Sequence, residues 1–326
     1  MHCELVVPGL LAGAGEARLP SAELLLARGR STSSPPQSLQ DWLLEAFAAE
    51  GSGSRAGALT VLAHGRAPGS ELWARADPVH LQLMREHVVL VPGEVLSLAA
   101  EESAALCDAL NAHFGSRLAI EALEPGRWCA RLEREFELPE ESPLERAGRP
   151  VAPGGAADAL LNEAQMVLHE HPVNEAREAR GKMPINSLWL WGAGRAPQVG
   201  QPHWQSVTAA EPIALGLARA AGLRGRALPA SADEWLGRSP VDGRHLVVLD
   251  ALRAPLALSD AASAAARLEG LEQAWFTPIL AALRAGHIGM VSVYVPDAGV
   301  AVETIGGDLR RFWRRSKPLG RRTMPP

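Results

Sequence analysis

The chain has 326 residues, room for about two domains at roughly 100–200 residues each. Hydrophobic residues make up 47% and charged residues 21%, which excludes a disordered tail, a collagen-like fibre and a disulfide-stapled miniprotein. The net charge of −5 argues against a broad nucleic-acid-binding face.

The basic residues are almost all arginine, with Lys182 and Lys317 the only lysines, a bias that fits a GC-rich genome. Cys3, Cys107 and Cys129 are odd in number and show no CxxC spacing, as expected of reduced thiols in a cytoplasmic protein. No run of about 18 apolar residues suggests a membrane span. Glu4 stands where a secretory leader would be basic, which argues against secretion. Ten Asp and ten His are enough for a metal site if they converge.

In chain order, His2–Leu11 reads as a strand ending at Pro8-Gly9, and Leu19–Arg28 as a short helix. Ser31–Ser38 reads as a loop and Leu39–Glu50 as an amphipathic helix. Gly51–Gly57 reads as a flexible joint and Ala58–Ala63 as a strand. Asp77-Pro78 predicts a bend near Trp73–Leu81. His87–Pro92 is a predicted strand, Ala99–Phe114 a helix with Leu106, Leu110 and Phe114 on one face, and Trp128–Leu132 a strand. Leu138–Gly155 reads as a linker. Asp158–His171 is a predicted helix capped by Asp158, and Asn174 starts a second one. Asn186–Trp191 is a strand, Glu211–Ala221 a helix, His245–Ala251 a strand, Leu268–Arg284 a long helix and His287–Val295 a strand. Alternating strands and helices predict an α/β fold with a mostly parallel sheet flanked by helices. A small α+β insert is expected over 71–137, between core parts 1–70 and 138–326.

The segment His171-Pro-Val-Asn174-Glu-Ala-Arg177-Glu-Ala-Arg180-Gly181-Lys182-Met-Pro184-Ile-Asn186-Ser-Leu-Trp189-Leu-Trp191-Gly192-Ala-Gly194-Arg195 closely resembles a stretch of the archaeal-type cofactor-independent phosphoglycerate mutases, of the alkaline phosphatase superfamily. Ala99–Phe114 with Arg127-Trp128 resembles the smaller inserted domain of that family. Ala76-Asp77-Pro78-Val79-His80-Leu81, taken with the Trp-rich strand, looks more narrowly like a bacterial subgroup of RpfE-type regulatory proteins. The resemblance covers most of residues 58–290. It implies an alkaline-phosphatase-like core and two divalent metals, manganese or zinc, held by Asp and His. It also implies a serine that carries the phosphoryl group.

The sequence departs from that implied pattern. The first strand ends Val7-Pro8-Gly9 and no Asp precedes Asp41. The loop Leu11–Arg18 has no Ser or Thr, and Ser21 reads as a helix cap rather than a nucleophile. Asp250 ends a central strand, but no His follows it until His287, and none follows His287. No catalytic or metal-ligating residue is therefore assigned, and no cofactor is expected.

The remaining candidates for ligand contact are Asp77, His80, Arg127, Asn174, Arg177, Asn186, Gly192, Gly194, Arg195 and Asp250. Asp77 and His80 are either an acid–base pair or parts of a turn. Gly192-Ala-Gly194-Arg195 places amides and a guanidinium after a buried strand, a chemistry suited to phosphate. The glycines also serve a tight turn. Asn174 and Asn186 suit backbone bonding. Trp189 and Trp191 share a strand face and fill the interface between sheet and helix. His169 and His171 face apart. Arg310–Arg322 is the single basic cluster, open to nucleic acid or an acidic partner, or a solvated tail.

The expectation is a degenerate, catalytically impaired phosphoglycerate-mutase-like protein. Its role would be regulatory or that of a scaffold, with a small phosphorylated metabolite and a regulatory protein as partners. The alternative is an active mutase or phosphoesterase with manganese or zinc on unrecognised ligands.

Overall fold

The computed structural model describes residues 1–15, 17–51, 53–85, 87–151, 157–238 and 242–321. It divides into two compact units, 1–49 with 199–326, and 50–198. The described strands are β1 His2–Val6, β2 Arg30–Ser33, β3 Leu72–Leu83, β4 Val88–Pro92, β5 Leu118–Glu124, β6 Arg127–Leu132, β7 Pro150–Val151, β8 Ser187–Gly194, β9 Ser206–Ala209, β10 Arg224–Ala227, β11 Arg244–Val248, β12 Met290–Val295 and β13 Val300–Ile305.

The first unit holds a seven-stranded sheet in the order β10-β9-β11-β1-β12-β13-β2. Strands β10 to β12 of that order run parallel, and β13 and β2 antiparallel. Cys3 and Leu5 on β1 and Val7 just after it, with Val291 and Val293 on β12, face one apolar core. Helix Pro20–Arg28 and helix Thr277–Ala285 close it with Leu25, Leu26, Ile279 and Leu280. Each such side chain contributes about 1.5–3 kcal/mol by leaving water. The start of helix Pro20–Arg28 is held from outside: the buried Glu272 carboxylate accepts from the Ser21 and Ala22 amides at 2.6 and 3.2 Å. Leu19 is the N-cap, so Ser21 lies inside the helix and its hydroxyl meets Thr277 Oγ1 at 3.0 Å. Ser21 is thus not the cap that was expected.

The second unit holds an antiparallel sheet in the order β5-β6-β3-β4-β7, with β8 also paired to β3. Helices Ala100–Phe114 and Asp158–His169 cover it with Leu106, Leu110, Phe114, Leu160 and Leu168. Partition at 71 and 137 therefore differs from the structure. Residues 187–194 pair with β3 from Trp73 to Val79, which draws the segment after 137 into the unit 50–198.

Several local expectations are corrected. Ala56–Ala63 is a helix rather than a strand. Its Gly57 sits on β3 so closely that a Cβ would lie 2.5 Å from the Ala74 backbone. Part of the Ser31–Ser38 loop is β2, an exposed edge strand paired through its backbone to β13. The linker carries a short helix, Pro143–Arg146, and β7, and its residues 152–155 lie outside the described residues. Ala157, not Asp158, precedes helix Asp158–His169, and the His171 ring caps helix Pro172–Ala179 by accepting from Val173 N–H at 3.2 Å. The long helix Leu268–Arg284 is interrupted: Ala261–Leu271 passes through a wide π turn at Glu272–Phe276 before Thr277–Ala285. Pro278 in the new first turn lacks the N–H a continuous helix would need.

Candidate functional site

Nine of the ten candidate residues lie in the unit 50–198, and Asp250 lies in the other unit. Asp77 and His80 do not form a pair. Both belong to the continuous strand β3, and a separation of three residues puts them on opposite faces. The predicted bend is absent because Asp77 and Pro78 pair with β8 across from Trp189 and Leu188. His80 Nδ1 donates to the Pro184 carbonyl at 2.9 Å.

Asp77 is buried beside a cation that the sequence reading missed. Arg75, two residues earlier and on the same face, hydrogen-bonds Asp77 Oδ1. Trp191 N–H donates to Oδ2 at 2.7 Å, and the Arg75 guanidinium lies 5.4 Å from the Trp191 ring centre. The two charges pair inside the sheet, with Arg75 Nε left without a hydrogen bond, so the group supports the fold. The detectable signal was the i, i+2 spacing of Arg75 and Asp77 on a strand. Trp189, half-buried, donates to the Glu141 carbonyl at 2.8 Å and lines a cavity of about 480 Å³.

The segment 171–195 acts as a clamp. Arg177 is 0% exposed. Its Nε donates to the Met183 carbonyl at 2.9 Å, one terminal nitrogen to Glu102 at 2.7 Å and the other to the Leu96 carbonyl at 2.6 Å. Asn174 donates to the Leu168 and Ile185 carbonyls and accepts from Ile185 N–H at 2.8 Å. Asn186 bonds both backbone groups of Leu81, extending the β3 edge. Gly192 has φ +56°, and a Cβ there would lie 2.5 Å from Ser54 Oγ. At Gly194 a Cβ would lie 2.7 Å from Arg55 Cγ and 3.5 Å from its Cα. Arg195 donates to the Ser70 carbonyl, and Arg127 pairs with Glu124 at 2.7 Å on the surface.

In the other unit, polar groups gather at the C-terminal ends of the parallel strands, where open α/β sheets bind ligands. Asp250 follows β11, Asp297 follows β12 and Glu211 follows β9. Between them β1 leads into Val7-Pro8-Gly9, and the Gly9 N–H donates to Asp297 Oδ1 at 2.8 Å. Glu211 is buried and accepts from Ala214 N–H at 2.8 Å. Burial raises its carboxyl above the usual range, Arg253 opposes that shift and Asp250 adds to it. Asp297 and Glu211 were not singled out as ligand-site residues. Their signal is a carboxylate directly after a strand or before a helix-starting proline.

This donor set does not fit a two-metal cage. Asp297 is turned onto a backbone amide, Glu211 is drawn toward the neutral form, and Pro8 stands where the first ligand was implied. Among the described residues, no three His, Cys, Asp or Glu side chains gather to hold a metal ion. No described helix is long and apolar enough to cross a membrane. The three thiols are buried, and burial pushes Cys107 and Cys129 up to about 12.

The basic tail lies partly on its own unit. Arg311 and Arg314 donate to the Arg28 and Gly29 carbonyls at 3.2 and 2.7 Å, as cations do at a helix C-terminus. Phe312 and Trp313 are 78% and 66% exposed. Arg322 lies outside the described residues.

No family model matches the chain. A segment of 65 residues is 42% identical to a probable 2,3-bisphosphoglycerate-independent phosphoglycerate mutase of Geobacter sulfurreducens, covering 20% of this chain and 16% of that protein. A segment of 39 residues is 49% identical to the corresponding mutase of Methanosarcina barkeri, covering 12% of this chain and 10% of that one. The chain thus matches well under a fifth of the length of these curated relatives. The PH0037 protein of Pyrococcus horikoshii shares the fold, with a TM-score of 0.56 and 16% identity over 94% of this chain and 87% of that one. Homology to the cofactor-independent phosphoglycerate mutases is supported by these partial relatives, and the architecture is a mixed α/β fold with a central sheet and helices.

Proposed function

We propose that the protein is a degenerate relative of the cofactor-independent phosphoglycerate mutases, impaired in catalysis and serving a regulatory or scaffold role, with binding of a small phosphorylated metabolite. The observation that carries this reading is the end of β1. Pro8-Gly9 stands where the resemblance implies a metal-binding carboxylate, and the Gly9 amide engages the Asp297 carboxylate. Phosphoryl transfer needs positive charge at both the attacking and the leaving oxygen; anionic carboxylates contribute to it only by holding cations, and Asp297 and Glu211 each place an oxygen on a backbone amide instead. The segment 171–195, by contrast, keeps its residue pattern, and its polar side chains are spent on backbone and ion-pair bonds. Retention of the 171–195 scaffold in one unit, together with depleted strand ends in the other, supports a role in binding rather than turnover.

The test is an assay of 3- and 2-phosphoglycerate interconversion and of phosphoester hydrolysis with added manganese or zinc, together with metal analysis. The expected result is no turnover above the blank. Turnover with stoichiometric metal that is lost in Asp250→Asn overturns the reading. Titration with 3-phosphoglycerate monitored by calorimetry tests the binding part, and an absence of heat removes it.

A further inference from the structure

A cleft of about 550 Å³ opens in the unit formed by 1–49 and 199–326, lined by Thr208, Arg226, Ala227, Pro229, Trp235 and Arg238. It lies beside β9 and β10, the strands at one edge of the parallel sheet. Thr208 and Arg226 are direct partners in the β9–β10 register, so their side chains stand together on one face about 4.8 Å apart at the backbone. Trp235 reaches the cleft from helix Ala232–Arg238, held edge-on against the His245 ring with centroids 6.3 Å apart.

Two buried polar atoms of the lining have no partner. Thr208 is 1% exposed and Trp235 2% exposed, yet neither Thr208 Oγ1 nor Trp235 Nε1 makes a hydrogen bond. An indole N–H can only donate. Leaving such a group unmet in the interior costs about 1–3 kcal/mol, and native proteins leave few of them. The other two polar liners are also donors. Arg226 has no carboxylate partner among the described residues and gives one N–H to the Arg238 carbonyl at 2.6 Å. Arg238 pairs with Glu234 at 2.6 Å. Among the described residues, no carboxylate lines the cleft.

We propose that this cleft binds a small organic anion through a tetrahedral oxyanion head group, a phosphate or sulfate monoester. The Arg226 guanidinium pairs with the oxygens of such a group, and the Thr208 hydroxyl and Trp235 N–H, both closed to solvent, turn onto them as it binds. Arg226 supplies the net positive charge, since Glu234 already balances Arg238. The cleft is several times larger than one oxyanion, and Ala227, Pro229 and the Trp235 ring form an apolar wall for an organic body. A bound water would meet at most part of this set, because it brings two lone pairs and no charge. The site does not depend on the catalytic impairment proposed above.

The test uses the full chain with inorganic phosphate, inorganic sulfate, phenyl phosphate and phenyl sulfate, at ionic strength fixed with chloride. Titrations are followed by calorimetry and by the indole N–H resonances, of which the Trp235 signal is assigned as the one missing in Trp235→Phe. The expected result is saturable binding of both phenyl esters, tighter than the inorganic anions, with a shift of the Trp235 resonance. The phosphate-to-sulfate ratio identifies the preferred head group. Thr208→Val and Trp235→Phe each weaken binding about tenfold. Without ligand Thr208→Val melts no lower than the parent chain, because it removes a hydroxyl that has no partner, whereas Trp235→Phe melts lower because the smaller ring leaves core volume unfilled. Three results overturn the proposal: no saturable binding, binding that leaves the Trp235 resonance unmoved, or unchanged affinity in both variants. The Trp235 readout separates this cleft from any phosphoglycerate binding elsewhere on the chain.

Discussion

Arg177→Met tests whether the segment 171–195 is a structural clamp. Arg177 is fully buried and serves three acceptors: the Met183 carbonyl, the Leu96 carbonyl and the Glu102 carboxylate. Methionine keeps most of the volume and none of the donors. Glu102 retains Arg180 at 3.1 Å and the Ala99 amide at 3.1 Å, so the larger loss falls on the two carbonyls. Breaking one side of a buried ion pair costs about 3–5 kcal/mol, and each orphaned buried acceptor about 1–3 kcal/mol. The remaining partners of Glu102 place the total near the lower end, about 3–4 kcal/mol. With a urea slope of about 2 kcal/mol per molar, the unfolding midpoint should fall by about 1.5–2 M. Urea unfolding followed by pulsed hydrogen exchange over residues 171–195 reads this unit without the other. Arg177→Lys should recover less than half of the loss, because one ammonium cannot replace a planar three-way fork. A midpoint shift below about 0.5 M would refute the clamp and leave a ligand role as the better account of Arg177.

Three further outcomes follow from buried groups. Glu211 has a raised carboxyl pKa, so its stability contribution is present below about 4.5 and is lost as pH rises through the folded value. Glu211→Gln should therefore be more stable than the parent at pH 7, with the gain vanishing below pH ~4.5; equal stability of the two at neutral pH contradicts this. Gly192→Ala forces φ +56° on a residue whose Cβ would lie 2.5 Å from Ser54 Oγ and 2.6 Å from Ala56 Cβ. It should cost at least about 1–3 kcal/mol in thermal or urea unfolding. The three buried thiols should stay silent to a thiol-titrating disulfide in the native protein and react fully in denaturant, because the thiolate is the reactive form; fast native labelling would contradict their burial.

Much of the fold was legible where a pattern was long and one-sided. Helix Ala100–Phe114 shows its core face as Leu106, Leu110 and Phe114, and β8 announces itself by Trp189 and Trp191 at a spacing of two. The errors fall where local signals are ambiguous. Ala58–Ala63 is apolar throughout, and a short apolar run has no period to separate strand from helix. Residues 76–78 pair with β8 alone, flanked by the stretches of β3 that pair with β6 and β4, so Asp77-Pro78 stays extended despite its turn propensity. The partition of the units was not legible because β3 and β8 are more than a hundred residues apart in sequence.

The candidate site was legible mainly as an absence. Pro8-Gly9 at the end of β1 and the lack of histidine after His287 are plain in the sequence. The use of Gly9 N–H by Asp297 is a contact across 288 residues and needs the fold. Arg177 could be named from its motif, but its three acceptors come from three separate segments. Thr208 and Trp235 carried no motif at all. They matter because the sheet edge buries two donors without partners beside Arg226.

The central claim is that the sheet edge around Gly9, Glu211, Asp250 and Asp297 no longer performs phosphoryl transfer. Phosphorus NMR of 3-phosphoglycerate held with a stoichiometric amount of the chain and manganese tests it most directly. The account predicts a spectrum that stays that of 3-phosphoglycerate through a long incubation. A growing 2-phosphoglycerate or inorganic phosphate resonance, absent when the chain is omitted, would contradict it.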